Sequence, residues 1–276
     1  MILAVDVGNS NTTVGLFNGT GELLFRALLE TSRSKTRDQC AIELLGVFQL
    51  YGADACTVDG AILSSVVPPL TTIFTDAIAR LTGIPPMVVG PGIRTGLNIK
   101  AEIHNQLGSD IVASSVAAIA KYPSPIVMVD MGTATSLSLI VGSVYEGCII
   151  MPGLALALDA LSERAAALPP ISIETASPVG LMGHTTEEAM RSGVLYGHAS
   201  MVDGMLERIE ESIGQSVTTV ATGGNAPRIL RYCKRPIQYD ADLIMTGLTL
   251  LFAAFGLMSL LVLVIWAVDA QRSEER

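Results

Sequence analysis

One short grammar occurs twice in this chain and limits what it can fold into. Ile2 to Phe17 reads ILAVDVGNSNTTVGLF: the apolar run Ile2-Leu3-Ala4-Val5 delivers a carboxylate, Asp6, to a turn of Gly8, Asn9, Ser10 and Asn11, and the β-rich run Thr12 to Phe17 leads back out. Ile126 to Ser136, IVMVDMGTATS, repeats the pattern with Asp130 in the place of Asp6, and Leu137 to Val141 is the returning strand. A single Asp-x-Gly arises in many ordinary turns. Two of them, each closing an apolar strand and each opening a hairpin, point to an internal duplication with two phosphate-facing turns confronting one another across a cleft. Glycine permits a backbone turn that other residues resist, and small polar side chains with free N–H groups line a loop suited to an anion. A carboxylate beside such a loop repels a phosphate unless a cation comes with it, so the arrangement fits a nucleotide bound as its magnesium complex.

Between and beyond these turns, strands alternate with helices, which indicates an α/β domain with a partly parallel sheet. Glu22 to Leu29 reads as a third strand. Gln39 to Tyr51 has helical spacing, with Ile42, Leu45 and Phe48 near one face. Gly60 to Val67 is a strand ended by Pro68-Pro69, Leu70 to Leu81 a helix, and Met87-Val88-Val89 a short strand. Asp110 opens a helical run from Ile111 to Lys121. That position suits an N-cap, and a helix N-terminus lowers the pKa of a carboxylate and weakens it as a base. In the second half, helices are expected over Leu154 to Leu168 and Glu187 to Ser212, the latter with Thr186 as its cap. The strand Val217 to Thr222 runs into Gly223-Gly224-Asn225, where missing side chains let a base or ribose approach the backbone or simply make a tight turn.

Composition excludes several classes. The 276 residues are half apolar and 16% charged, which excludes a disordered chain. A net charge of -9, with no basic cluster larger than Lys234-Arg235, argues against nucleic-acid binding. Cys40, Cys56, Cys148 and Cys233 are too widely spaced for a metal pattern, and His104, His184 and His198 are too scattered for one. The N-terminus enters a strand rather than a basic, apolar leader, so a reducing cytoplasm with free thiols is the expected compartment. The sequence has no G-x-x-x-x-G-K-[ST], so a P-loop kinase is the wrong template.

The ordered segments VDVGNSNTTVGLF, SSVVPPL, VVGPGIRTGLNIK, GSD, VDMGTATS, IIMPG, LSERAAALPPI, TTEEAMRSGVLYG and ATGG resemble those of the bacterial type III pantothenate kinases, in the acetate and sugar kinase, Hsp70 and actin superfamily. The resemblance runs from Met1 to about Leu251. It implies a duplicated ribonuclease H-like fold, with two mixed sheets flanked by helices around an ATP cleft, divided as residues 1–122, 123–252 and an apolar extension 253–276. It implies transfer of the ATP γ-phosphoryl group to the primary hydroxyl of pantothenate, the first step towards coenzyme A. By the same resemblance, Asp6, Val7, Gly8, Asn9, Ser10, Asn11, Thr12 and Thr13 form the first phosphate loop and Thr133 the second phosphate turn. Asp130 is the carboxylate associated with a monovalent cation, K+ or NH4+. Gly108, Ser109, Asp110 and Ile111 hold pantothenate, with Asp110 as general base. Thr186 contacts pantothenate across a homodimer interface, and ATP and Mg2+ are the implied cofactors.

Two regions depart from the family pattern. Ile111 stands where the family usually has Arg, so the two charge-assisted hydrogen bonds an Arg gives a carboxylate are absent. Ala101 replaces a common aromatic, and Cys148 one glycine of a usual pair. These changes leave open a same-fold kinase for another small alcohol, or a nucleotide-binding paralogue with a regulatory or membrane-tethered role. The second departure is the tail: Leu243 to Val268 carries no charge. If Leu243 to Phe252 packs in the domain, the sixteen residues that follow give about 24 Å, short of a hydrocarbon core near ~30 Å. Residues 248–268 are therefore a candidate for membrane contact, with Trp266 placed as an interfacial aromatic, or for packing on the domain or dimer.

Overall fold

The computed structural model describes residues 1–90, 93, 95–100, 107–173 and 179–256. Strands β1 (Ile2–Val7), β2 (Asn11–Phe17) and β3 (Leu23–Glu30) form a meander, α1 (Arg37–Leu50) crosses to β4 (Gly60–Ser65), and α2 (Pro68–Thr82) leads to β5 (Met87–Val88). After β6 (Asn98–Ile99) and α3 (Ser109–Lys121) the plan recurs with β7 (Ile126–Met131), β8 (Ala134–Val141) and β9 (Val144–Pro152). Then come α4 (Leu154–Arg164), α5 (Thr186–Ile213), β10 (Thr218–Thr222), α6 (Ala226–Leu230) and β11 (Gln238–Tyr239). A last helix, α7, covers residues 243–256.

The duplication is visible in the strand order. One sheet is β3-β2-β1-β4-β5, and the other is β11-β10-β7-β8-β9 with β6 added at the β9 edge. In each, an inner strand (β1 or β7) pairs antiparallel with the hairpin partner that follows it and parallel with a strand reached by crossover (β4 or β10). The α/β class with two mixed sheets flanked by helices is thus as expected from the sequence.

Alternation along β1 sorts its residues by face. Leu3, Val5 and Val7 pack with Leu44 and Phe48 of α1 and with Leu70, Phe74 and Ile78 of α2. Ala4 joins Ile62, Ala113 of α3, and Met245, Leu248 and Leu251 of α7 on the opposite face. Asp6 continues that second face at the carboxyl end of β1. In the second sheet Val127, Val129 and Met131 face a core shared with Leu154, Val194 and Val202, which turns Asp130 to the other side.

Several local expectations are corrected. Helix α1 buries Cys40, Leu44, Val47 and Phe48, while Ile42 is 68% exposed. Steps of four and three from Cys40 keep one face, and Ile42 lies about 200° round the helix from Cys40. Its start is set by a capping box between Thr36 and Gln39. Pro68 and Pro69 form the first turn of α2, where their missing N–H groups have no helical partner to lose. Helix α4 ends at Arg164 instead of Leu168. The cap of α5 is Thr185, whose side chain accepts from the Glu188 N–H, and Thr186 is the first helical residue.

The described residues fall into two compact units, one of residues 1–97, 107–117 and 243–256, the other of 98–100 and 118–242. A cut into consecutive halves at 122/123 differs from this because α7 returns to the first unit. Its Gly247 touches α3 so closely that a Cβ there would lie 1.8 Å from the Ala113 carbonyl oxygen, and the Phe252 ring lies against Gly60. Among the described residues no helix is long and apolar enough to cross a membrane. Of the apolar stretch 248–268, Leu248 and Leu251 are core residues of the first unit, and the part beyond residue 256 lies outside the described residues.

Candidate active site

In the first unit the site grows from the ends of β1 and β4. Asp6 is only 8% exposed, opposite Thr13 on β2 and beside Ser64 on β4. After Val7, whose side chain points into the α1/α2 core, the turn is closed by the Gly8 N–H donating to the Asn11 carbonyl at 3.0 Å. A Cβ on Gly8 would lie 2.9 Å from that carbonyl oxygen. Asn9, Ser10 and Asn11 are exposed. The hairpin is tied to β3 through the Thr31 N–H on the Ser10 carbonyl, 3.0 Å, and through the Thr12 and Thr31 hydroxyls, 2.9 Å apart.

Ser64 links this turn to α3. Its hydroxyl lies 2.9 Å from that of Ser109, which also accepts from the Ser65 N–H at 3.1 Å. The α3 N-terminus is therefore fixed on the carboxyl end of β4, level with Asp6. Asp110 is the second residue of this helix and not its cap. Its Oδ1 accepts from the Ile111 N–H at 2.8 Å and folds back over Gly108, where a Cβ would meet it at 2.3 Å. Burial pushes the Asp110 carboxyl above the usual carboxylate range, and the N–H groups of Ile111 and of Asp110 itself pull it back only in part. Desolvation thus overrides the lowering expected of a helix N-terminus, and the group is a better base than its position implies. Ile111 is half-buried and offers no side-chain donor.

The second unit carries the other turn. Asp130 lies between Ser136 of β8 and Thr222 of β10, as Asp6 lies between Thr13 and Ser64. The Gly132 N–H donates to the Ala134 carbonyl at 3.0 Å, leaving Thr133 and Ala134 exposed at the apex. Two glycines press on it from outside. Gly153, after β9, donates its N–H to the Thr133 carbonyl at 3.2 Å, and a Cβ there would lie 2.2 Å from that oxygen. Gly223 has φ +92°, in the left-handed region, and a Cβ there would meet Asp130 Oδ1 at 2.6 Å. Asn225 completes the support, with its backbone N–H on the Met131 carbonyl at 3.0 Å and its side-chain amide on the Gly132 carbonyl at 3.2 Å.

Thr186, exposed at the start of α5, borders an open depression of about 800 Å³ with Leu168, Pro169, Pro170, Thr185 and Glu187. It belongs to the second unit, whereas Gly108 to Ile111 belong to the first. Ala101 and His104 lie outside the described residues, and Cys148 is exposed on β9. Sequence reading gave no role to Ser64 or Gly153, although both lie in segments it singled out, SSVVPPL and IIMPG.

The donor set fits a nucleotide and its cation. In each unit by itself a glycine turn presents small side chains and backbone N–H groups beside a carboxylate, and Thr135, fully buried under the turn of the second unit, has a hydroxyl with no partner among the described residues. No group of three His, Cys, Asp or Glu capable of holding a metal occurs among the described residues. A divalent ion here would be shared between one carboxylate and phosphate oxygens.

Comparison with known proteins agrees with this geometry. A family model described as type III pantothenate kinase matches residues 2–208. The chain is 38% identical over 253 residues to the type III pantothenate kinase of an Exiguobacterium species, covering 91% of this chain and 98% of the relative. That of Halalkalibacterium halodurans gives the same identity and coverage, 38%, 91% and 98%. Among solved structures, component A of (R)-2-hydroxyglutaryl-CoA dehydratase from Acidaminococcus fermentans superposes with a TM-score of 0.54 at 12% identity, over 90% of this chain and 94% of that one, and so shares the fold alone. With the family model covering most of its length and relatives matched nearly end to end, this chain belongs to the type III pantothenate kinase family.

Proposed function

We propose that this protein transfers the γ-phosphoryl group of ATP to the primary hydroxyl of pantothenate, giving 4'-phosphopantothenate, the first step of coenzyme A synthesis. The observation that carries this reading is Asp110, a half-buried carboxylate whose pKa is pushed up by desolvation, beside Ser109, which Ser64 ties at the level of Asp6. Phosphoryl transfer asks little covalent chemistry of the protein and depends on positioning and charge neutralisation. In this reading Asp6 to Thr13 hold the phosphates through backbone N–H groups and small side chains, and Thr133 does so from the second turn. Mg2+ arriving with the nucleotide supplies the positive charge that a glycine turn beside a carboxylate lacks. Asp110 accepts the proton of the attacking hydroxyl, while Gly108, Ser109 and Ile111 shape the acceptor pocket around it. Asp130, beside carbonyl oxygens of its own turn, is the site we assign to a monovalent cation, K+ or NH4+.

We further propose a homodimer in which Thr186 reaches the partner's acceptor. The exposed Ala189, Gly193 and Gly197 of α5 support it: they recur every four residues, and a Cβ on either glycine meets nothing within 4 Å, so another helix can approach closely. The compartment we assign is the cytoplasm, with any membrane contact confined to the chain beyond the buried part of α7. A second reading is favoured by Ile111, which cannot pair with the pantothenate carboxylate: the acceptor is then a less acidic small alcohol. The deciding experiment measures ATP consumption by the full-length protein with pantothenate and with a panel of neutral alcohols. Turnover that depends on pantothenate and Mg2+ supports the first reading; turnover only with neutral alcohols selects the second, and ATP binding without any product overturns both.

A further inference from the structure

His198 sits in the middle of α5, 5% exposed, and no step above uses it. Its Nε2 lies 2.9 Å from the carbonyl oxygen of Pro152, the last residue of β9. A carbonyl can only accept, so the Nε2 tautomer is the one that makes this contact a hydrogen bond. The next peptide atom matters more. The Pro152 carbonyl and the Gly153 N–H belong to one planar peptide group and point to opposite sides of it. That N–H donates to the Thr133 carbonyl at 3.2 Å, at the apex of the second turn. One rigid plane is thus held by His198 at one end and holds Thr133 at the other.

We infer that His198 is a positioning residue for the second phosphate turn, acting through the Pro152–Gly153 peptide plane on Thr133. The inference rests on the reading of Thr133 as a phosphate-facing residue. Burial gives the arrangement its stiffness. The ring is 5% exposed, and burial pulls its pKa below the usual imidazole range against the opposing pull of the Pro152 and Val194 carbonyls. Gly153 has little room to adjust by itself, since a Cβ on it would lie 2.2 Å from the Thr133 carbonyl oxygen and 2.6 Å from that of Gly132. Loss of the His198 donor releases one end of the plane, and the shift passes to the Thr133 carbonyl because the crowded Gly153 cannot absorb it.

The test compares His198→Gln, whose amide nitrogen reaches the place of Nε2, with His198→Phe, which keeps the ring and removes the donor. His198→Met is a third variant of Gln-like shape without a donor, used if the Phe variant does not fold. Each full-length protein is assayed for the KM of ATP, the KM of pantothenate and kcat, and for MgATP affinity by calorimetry. The expected result is an ATP KM and MgATP affinity weakened about tenfold in the Phe or Met variant, near wild type in the Gln variant, with the pantothenate KM unmoved. Wild-type ATP parameters in a folded donorless variant overturn the inference, as does equal loss in the Gln and donorless variants. Should the wild-type chain bind MgATP without phosphorylating pantothenate, the proposed reaction fails but the calorimetric comparison still decides the role of His198.

Discussion

The two hairpin turns are built to one plan and braced to different degrees. Asp6 and Asp130 hold the same place, between an antiparallel partner and a parallel crossover strand. The first loop has four residues between the pair Val7–Thr12, and the second three between Met131–Thr135. The first turn presents Asn9, Ser10 and Asn11 to solvent and is tied to β3 through Thr31. The second is pressed by Gly153 from one side and by Gly223 and Asn225 from another. Glycine contact is thus closer at the second turn, where a Cβ on Gly153 would lie 2.2 Å from backbone oxygen, than at the first, where one on Gly8 would lie at 2.9 Å. Among the described residues the first unit adds a half-buried carboxylate, Asp110, at the start of α3, so the base we propose and the less braced loop belong to the same unit.

This asymmetry can be broken experimentally, beginning where the effect is largest. Asp110→Asn should lower kcat by about 100- to 10,000-fold, with the ATP KM nearly unchanged, in steady-state assays. A loss below tenfold would remove Asp110 from the base role. The same substitution should leave the melting temperature at neutral pH equal or raised. A carboxyl whose folded pKa is raised contributes stability that is fully present below its ordinary value of 3.8 and is lost as pH rises through the raised value, and Asn carries no such loss. For the same reason the acid limb of kcat/KM should fall at a higher pH than an ordinary carboxylate would give, and a limb near 3.8 would contradict the burial seen here.

Glycine replacement separates the two turns more directly. Gly153→Ala puts a Cβ 2.2 Å from backbone oxygen, and Gly8→Ala puts one at 2.9 Å in a loop exposed on its outer side. Denaturant unfolding should show a cost of about 3 kcal/mol or more at Gly153 and about 1 kcal/mol at Gly8. Equal costs would mean the second turn is no stiffer than the first. The smallest effect tests the two threonines that close the hairpins. Thr12→Val removes a hydroxyl contact with Thr31 and should cost about 1 kcal/mol. Thr135→Val removes a buried hydroxyl that has no partner among the described residues and should be neutral or slightly stabilising in the same measurement. A loss at Thr135 as large as that at Thr12 would show that its hydroxyl is satisfied.

Much of this was legible because the signals are local. A period of two along Ile2 to Val5 and Ile126 to Val129, followed by glycine turns, marks both inner strands and both turns without reference to the rest of the chain. Helix faces were less legible. Ile42 and Leu45 were grouped on one face with Phe48, but which stripe of an amphipathic helix is buried depends on what lies beneath it, and the buried stripe holds Leu44 and Phe48 in one core with Val5 and Phe74. Boundaries slipped where a cap could be either of two neighbours, as with Thr185 and Thr186.

By itself the sequence determined that two carboxylate-bearing turns close two similar αβ units, because strand alternation and turn chemistry are set within a dozen residues. Only the tertiary structure decided three further points. Helix α7 returns to the first unit, since the surfaces that bury Leu248 and Leu251 come from β1, β4 and α3, far away in sequence. Asp110 is more basic than its helix position implies, because desolvation comes from packing and not from neighbours in the chain. His198 meets the β9 terminus because α5 crosses the second sheet, and hydrogen bonding between residues 46 apart leaves no periodic trace in the sequence.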